Sequence, residues 1–195
     1  ALHAVREMRY LVNYSDKKWD GKLQRLFALA EQVDTVPLSA SAPKLDGDLK
    51  PVVSHAVVEI NNTCNIDCLM CKTSLSTRRK GKISDENLNL ILDRLQEKGV
   101  ETVSLHTIGD PMANPRLGDV FAELRRRKIV TAISTNGLLL DRHIDALKKY
   151  RDICTLIRFS ADGGTKETYE KVRAGGVWET FLENVELAHR ELRPL

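Results

Sequence analysis

Three cysteines fall within eight residues, Cys64-Asn-Ile-Asp-Cys68-Leu-Met-Cys71, with gaps of three and then two residues. Thiolates are the soft ligands that iron–sulfur clusters take, and gaps this short let one loop wrap its sulfurs around a single cluster. A four-iron, four-sulfur cluster normally takes four thiolates. Only three are local; if the remote Cys154 stays out of the set, one iron keeps the open position that a catalytic cluster requires. Zinc also accepts thiolates, but a structural zinc site wants a fourth ligand and commonly comes as two separated pairs. Cys68 and Cys71 alone make a thioredoxin-like pair, which leaves Cys64 unexplained. The spacing therefore favours a cluster, with zinc as the alternative. Cys154 reads as a small buried hydrophobe rather than a fourth ligand.

Other residues carry weaker signals. His106 sits in an expected strand, where it either points into a substrate cavity or, as is commoner, is a satisfied structural group. The run Arg78-Arg79-Lys80-Gly81-Lys82 could grip a phosphate-bearing substrate, RNA included, although such runs are more often solvated loops. Arg125 to Lys128 are accounted for by the attraction of cations to a helix C-terminus.

The pattern after position 52 shows what must hold these residues. Strands are expected over 56–60, 102–108, 129–134 and 155–160. Between them, a helix capped by Ser84 ends at Gly99, a second enters at Asn114-Pro115, and a third carries Asp141, Ile144 and Leu147. Two more are expected over 165–172 and 178–192. Four consecutive strand–helix units predict an α/β fold with a parallel sheet, because parallel strands need crossover connections. Functional residues then gather at the C-terminal strand ends. Every unusual loop follows a strand: the cysteines, Gly109-Asp110-Pro111, Asn136-Gly137 and Asp162-Gly163-Gly164. One rim should collect them.

Upstream, Trp19, Leu23, Leu26, Phe27, Ala30 and Val33 recur at helical spacing, a weaker helix is expected over 2–13, and 37–51 has linker composition. Residues 1–51 are thus expected to form a helical extension and linker, and 52–195 the core. Apolar residues at 42%, charged residues at 29% and a net charge of +3 exclude a disordered chain and do not mark a nucleic-acid partner. No apolar stretch approaches the roughly 20 residues needed to span a bilayer, and no secretory signal is present, so a cytosolic protein with no membrane partner is expected. Clustered cysteines in that setting favour metal chemistry over disulfides. Both ends look cut, which suggests a piece of a longer protein.

With these loops in place, residues 52–195 resemble the radical S-adenosylmethionine superfamily, whose signature is three cysteines separated by three and then two residues. Asn62-Thr63-Cys64-Asn65 through Cys71 is similar to the segment in peptide-maturing and sulfatase-maturing members. Ile108-Gly109-Asp110-Pro111 matches the family's Gly-Gly-Glu-Pro stretch, with Ile for the first Gly and Asp for Glu. Ser134-Thr135-Asn136-Gly137 resembles its Thr-Asn-Gly turn, and Ser160-Ala161-Asp162-Gly163 its Ser-hydrophobic-Asp-Gly motif.

The resemblance implies a partial (β/α)6 barrel, with the first four units present after the helical N-terminal extension. It implies a 4Fe-4S cluster on Cys64, Cys68 and Cys71, with S-adenosylmethionine bound by Gly109, Asp110, Asn136, Ser160 and Arg173. Asp110 would hold the methionine amine, with backbone contact through Gly109; Ser160 and Arg173 would reach the ribose and the carboxylate. Leu69 and Met70 would pack near the cluster and limit solvent access. No residue is assigned to catalysis. The implied activity is reductive cleavage of S-adenosylmethionine to a 5'-deoxyadenosyl radical that abstracts hydrogen from a peptide or small molecule, served by an electron donor such as flavodoxin or ferredoxin. Two alternatives stand beside it: a non-catalytic zinc or iron–sulfur module, and a radical enzyme acting on RNA.

Overall fold

The computed structural model describes residues 53–192, apart from 72 and 74. The expected N-terminal helices and the 37–51 linker lie outside the described residues.

Four strands, β1 (His55–Val57), β2 (Thr102–Ser104), β3 (Val130–Thr135) and β4 (Cys154–Phe159), form one sheet in the order β1-β2-β3-β4, every neighbouring pair parallel. Parallel neighbours cannot be joined by a tight turn. The crossovers are supplied by α1 (Asp85–Glu97), α2 (Leu117–Arg126) and α3 (Ile144–Lys149), while α4 (Lys166–Val172) and α5 (Trp178–Glu191) follow β4. The expected α/β architecture with its four strand–helix units is present.

Local chemistry explains the helix ends. Ser84 Oγ accepts the Asn87 N–H at 3.2 Å, Asp85 and Glu86 suit the positive end of α1, and Gly99 releases the chain at φ +73°. At the end of α2, helix polarity is only part of the account of the cationic run. The Arg127 side chain is 1% exposed and pairs with Asp93 of α1 and Glu123 of α2, each at 2.6 Å, fastening the two helices together.

Two strands are shorter than their apolar runs, and their hydrogen bonds show why. Beyond Val58, whose N–H still reaches Ser104 O, the chain leaves the parallel ladder. Ile60 to Asn62 instead pair antiparallel with 81–83: Ile83 N–H donates to Ile60 O and Asn62 N–H to Gly81 O. In β2 the ladder ends at the Leu105 N–H to Ala132 O bond, and Asp110 N–H goes to Thr63 O.

Alternation along the strands gives the sheet two unlike faces. Val58, Ile60, Val103, Leu105 and Ile133 pack with Leu92, Phe121 and Leu124 of the helices to make the core. The opposite face presents His55, Ser104, His106, Ser134 and Arg158, with Val57 and Leu156 exposed. Cys154 is buried in the core at the first residue of β4, the end of that strand away from its following loop.

Candidate active site

The loops at the C-terminal strand ends are tied to one another by buried polar bonds. Asn61 Nδ2 donates to Thr63 O and to Asp110 O, both at 3.0 Å, linking the cysteine loop to the loop after β2. The approach is so close that a Cβ on Gly109, which sits at φ +92°, would lie 2.6 Å from Thr63 O. On the other side, Asp67 N–H donates to Ala174 O at 2.8 Å and Leu69 N–H to Val172 O at 3.0 Å, fixing the cysteine loop to the end of α4. The loop after β4 packs against that helix, where a Cβ on Gly163 would fall 2.5 Å from Tyr169 N.

These ties surround a pocket of about 440 Å³ lined by Cys64, Cys68, Cys71, Gly109, Asp110, Asn136, Ser160 and Arg173. All eight residues expected to hold cluster or cofactor are therefore brought to one place. Met70, Thr73, His106, Ser134, Thr135 and Asp162 share the lining.

Each cysteine sulfur meets a polar side chain, two of them from other parts of the rim and one from the cysteine loop's own end. Asn136 Nδ2 donates toward Cys64 Sγ at 3.6 Å, an Arg173 terminal nitrogen toward Cys68 Sγ at 3.6 Å, and Thr73 Oγ1 lies 2.8 Å from Cys71 Sγ. Burial pushes the Cys64 and Cys68 thiols up; the Ile66 N–H and Asn136 oppose this at Cys64, as the Arg173 charge and hydrogen bond do at Cys68. Cys154 has no such counterweight: burial alone pushes it to about 12, and it stands apart from the trio in the core.

Asp110 is 2% exposed, and its carboxylate is already engaged. One oxygen accepts the Met112 N–H at 2.9 Å, the other the Asn136 N–H at 2.6 Å, and the Thr135 hydroxyl lies 2.9 Å from both. Burial pushes its carboxyl above the ordinary range against the pull of these donors. The shortened side chain thus joins the loop after β2 to the end of β3.

Arg173 caps α4, pairs with Asp162, and keeps its Nε buried without a partner. His106 likewise has a buried Nδ1 with no partner, so it is not the satisfied structural histidine that its strand position favours. Burial, then Arg158 and His55, push its ring below the ordinary histidine range. Leu69 and Met70 do not pack inward: they are 70% and 55% exposed, and only Met70 joins the pocket lining. In the basic loop, Arg78 pairs with Glu59 and Lys80 Nζ donates to Thr73 O at 2.5 Å, so two of its four cations tie the loop to the segment after β1 and to the cysteine loop.

Sequence reasoning missed Asn61, Thr73 and the hydroxyl of Thr135. Thr135 stood inside a recognised turn; Asn61, a polar residue closing an apolar strand, was the other available signal.

The sequence model of the Radical SAM superfamily matches residues 58–194. Among curated proteins, a GTP 3',8-cyclase of Synechocystis is 27% identical over 139 residues, covering 69% of this chain and 41% of that protein. The mycofactocin maturase MftC of Mycobacterium ulcerans is 27% identical over 128 residues, covering 66% and 34%. The chain thus spans less than half the length of these relatives. Among solved structures, Streptococcus suis SuiB bound to its precursor peptide SuiA has a TM-score of 0.59 at 14% identity, covering 87% of this chain and 43% of that one. The enzyme anSMEcpe with bound AdoMet has a TM-score of 0.55 at 23% identity, covering 70% and 41%. Among the described residues, no helix is long and apolar enough to cross a membrane.

Proposed function

The chain belongs to the radical S-adenosylmethionine superfamily, and on that premise we propose that Cys64, Cys68 and Cys71 hold a 4Fe-4S cluster beside S-adenosylmethionine in a peptide-modifying enzyme. The observation that carries this reading is the single pocket onto which the three sulfurs open together with two buried unpartnered nitrogens, Arg173 Nε and His106 Nδ1. When bound, cluster and cofactor together supply reductive cleavage to a 5'-deoxyadenosyl radical and hydrogen abstraction from the substrate.

The residues present fit these groups. Three thiolates, each beside a polar hydrogen-bonding group, suit a cluster that takes one thiolate per iron and leaves one iron open. Asn136, Arg173 and Thr73 offset negative charge on sulfur. Arg173, paired with Asp162, would offer its unpartnered Nε to the cofactor carboxylate, and Ser160, in the same pocket lining, would meet a ribose hydroxyl. Asp110 would meet the cofactor amine only with a carboxylate that already serves three donors. Its role in this reading is to order Asn136, and the amine contact passes to the backbone at Gly109.

A peptide substrate is favoured by the likeness to SuiB, which spans most of the chain, and by the maturase among its relatives. The four free thiols suit the reducing cytoplasm, where a flavodoxin or ferredoxin would deliver the electron. An RNA substrate is not favoured, because Arg78 is paired with Glu59 after β1 and Lys80 with the Thr73 carbonyl. Anaerobic reconstitution with iron and sulfide tests the reading. A brown protein that releases 5'-deoxyadenosine on reduction supports it; stable zinc binding without cleavage sinks it.

A further inference from the structure

The polar face of the sheet lies directly below the rim. Register pairs Val57 with Ser104, Ser104 with Ala132, Ala132 with Leu156 and Ser134 with Arg158. The Leu105 N–H to Ala132 O bond carries the β2 ladder one residue past the strand. With side chains alternating, Ser134 and Arg158 therefore share a row on this face, and His106, one residue past the last β2 ladder bond, lies beside them within reach of the Arg158 charge, while Glu59 follows the point where β1 leaves the ladder. Strands stand about 4.8 Å apart, so His106 and Arg158 flank Ser134 across roughly 10 Å.

These groups are unevenly satisfied. Glu59 is met by Arg78 and by the Thr107 hydroxyl at 2.5 Å. His106 Nδ1 is buried without a partner. Among the described residues, Ser134 Oγ has no hydrogen bond and no carboxylate pairs with Arg158. His106 and Ser134 line the same pocket as the cysteines. Of the three, His106 has the unmet group that is buried, a state that costs about 1–3 kcal/mol and that a bound partner removes, while half-buried Ser134 and exposed Arg158 stand beside it to share the same ligand.

We propose that His106, Ser134 and Arg158 form a subsite for a carboxylate of the substrate, placed under the rim where the radical chemistry occurs. The proposal rests on the reading of the rim given above and adds the substrate's chemical class. Charge selects carboxylate over phosphate. Burial and the Arg158 charge push His106 below the ordinary histidine range, so the Arg158 guanidinium is the full positive charge of the row, with the Ser134 hydroxyl and the His106 ring as hydrogen-bonding groups beside it, which matches one negative charge rather than the two of a phosphate. An aspartate or glutamate side chain, or a peptide C-terminus, meets this requirement.

The test uses the full chain, with and without reconstituted cluster, and three probes: acetyl-Gly-Glu-Gly-amide, its Gln counterpart, and acetyl-Gly-Gly-Gly with a free C-terminus. Inorganic phosphate is the competitor. The subsite predicts that a carboxylate probe binds and shifts the His106 ring resonances, that the Gln peptide does not, and that R158Q weakens the carboxylate probe about tenfold or more. Comparing the Glu and free-C-terminus probes tells which carboxylate is preferred. S134A, a smaller change on the same row, should weaken the same probe less. Equal binding of Glu and Gln peptides, stronger competition by phosphate, or unchanged affinity in R158Q overturns the proposal. Loss of S-adenosylmethionine binding in R158Q also overturns it, by assigning the row to the cofactor. A chain that takes up no cluster sinks the reading of the rim instead, while the Glu–Gln contrast is still measured on the apoprotein.

Discussion

Cys154 and the trio Cys64, Cys68 and Cys71 are the same residue type placed in two different regions of the fold. Cys154 opens β4 inside the apolar core, 2% exposed, with burial as the only influence on its thiol. The trio sits on a loop at the C-terminal strand ends, where Asn136, Arg173 and Thr73 approach the sulfurs. Cys68 is nearly as hidden as Cys154, at 7% against 2% exposure, so burial alone does not separate the two regions. What separates them is the polar partner, and a parallel sheet supplies such partners only at the rim, where loops from different strands meet.

The harshest way to break this comparison is to swap alanine into each region. Cys64→Ala, Cys68→Ala or Cys71→Ala should each abolish the full cluster, read as iron and sulfide per chain after anaerobic reconstitution. Cys154→Ala should retain it and lose only about 1 kcal/mol of stability in urea titration, the cost of a small buried apolar group. A full cluster in any of the first three variants removes that residue from the ligand set.

The next contrast is kinetic. A thiol titrating at about 12 is about 10⁻⁴ ionised at pH 8, and the thiolate is the reactive form. In the native apoprotein, iodoacetamide followed by peptide mapping should therefore modify exposed Cys71 first and Cys154 last, with Cys154 slower by about a hundredfold or more. Because the Cys154 thiol lies far below its midpoint, its rate should rise about tenfold for each pH unit from 7 to 10. Early modification of Cys154 would mean that its region opens.

Asp110 tests whether polar partners are what define the rim. Asp110→Ala strands the Met112 and Asn136 N–H groups and the Thr135 hydroxyl, a loss of about 3 kcal/mol or more in denaturant unfolding, with weakened cofactor binding. Asp110→Asn keeps an acceptor and should fall between the two. Parent-like cofactor affinity in Asp110→Ala would remove this segment from the cofactor site.

The two regions were not equally legible. Strand–helix alternation placed the four units, the rule that loops follow strand ends placed the cysteines, Gly109 and Asn136 on one rim, and the resemblance to the superfamily added Ser160 and Arg173. Such patterns are local, and local periodicity reports which face is apolar. Partnerships across 25 to 72 residues are not local: Asp110 with Thr135, Asn61 with Asp110, and Asn136 with Cys64 depend on loop paths that periodicity does not encode. For the same reason, of Leu69 and Met70, which were expected to pack near the cluster, only Met70 joins the lining of the cysteine pocket, and the loop is held by backbone ties to the end of α4. The shortened β1 and β2 are a third case, where competing antiparallel and loop bonds end ladders that composition alone would extend.

The smallest expected effect is also the most specific. Asn136→Ala removes the amide that faces Cys64 while leaving the backbone N–H that Asp110 accepts, so the clamp between the loops stays closed. The side chain's bonds to Asn65 and from Leu138 N–H are lost as well, but both lie within the rim. Reduction places more negative charge on the cluster sulfurs, so a donor stabilises the reduced form more and holds the potential up. A single N–H donor at 3.6 Å is worth about 0.5–1 kcal/mol, which corresponds to about 20–45 mV for a one-electron couple. Redox titration followed by electron paramagnetic resonance should show the Asn136→Ala cluster lowered by that amount, with Cys154→Ala unshifted. An unchanged or raised potential in Asn136→Ala would mean that the amide does not act on the cluster, and the difference between rim and core at Cys64 would then reduce to solvent exposure.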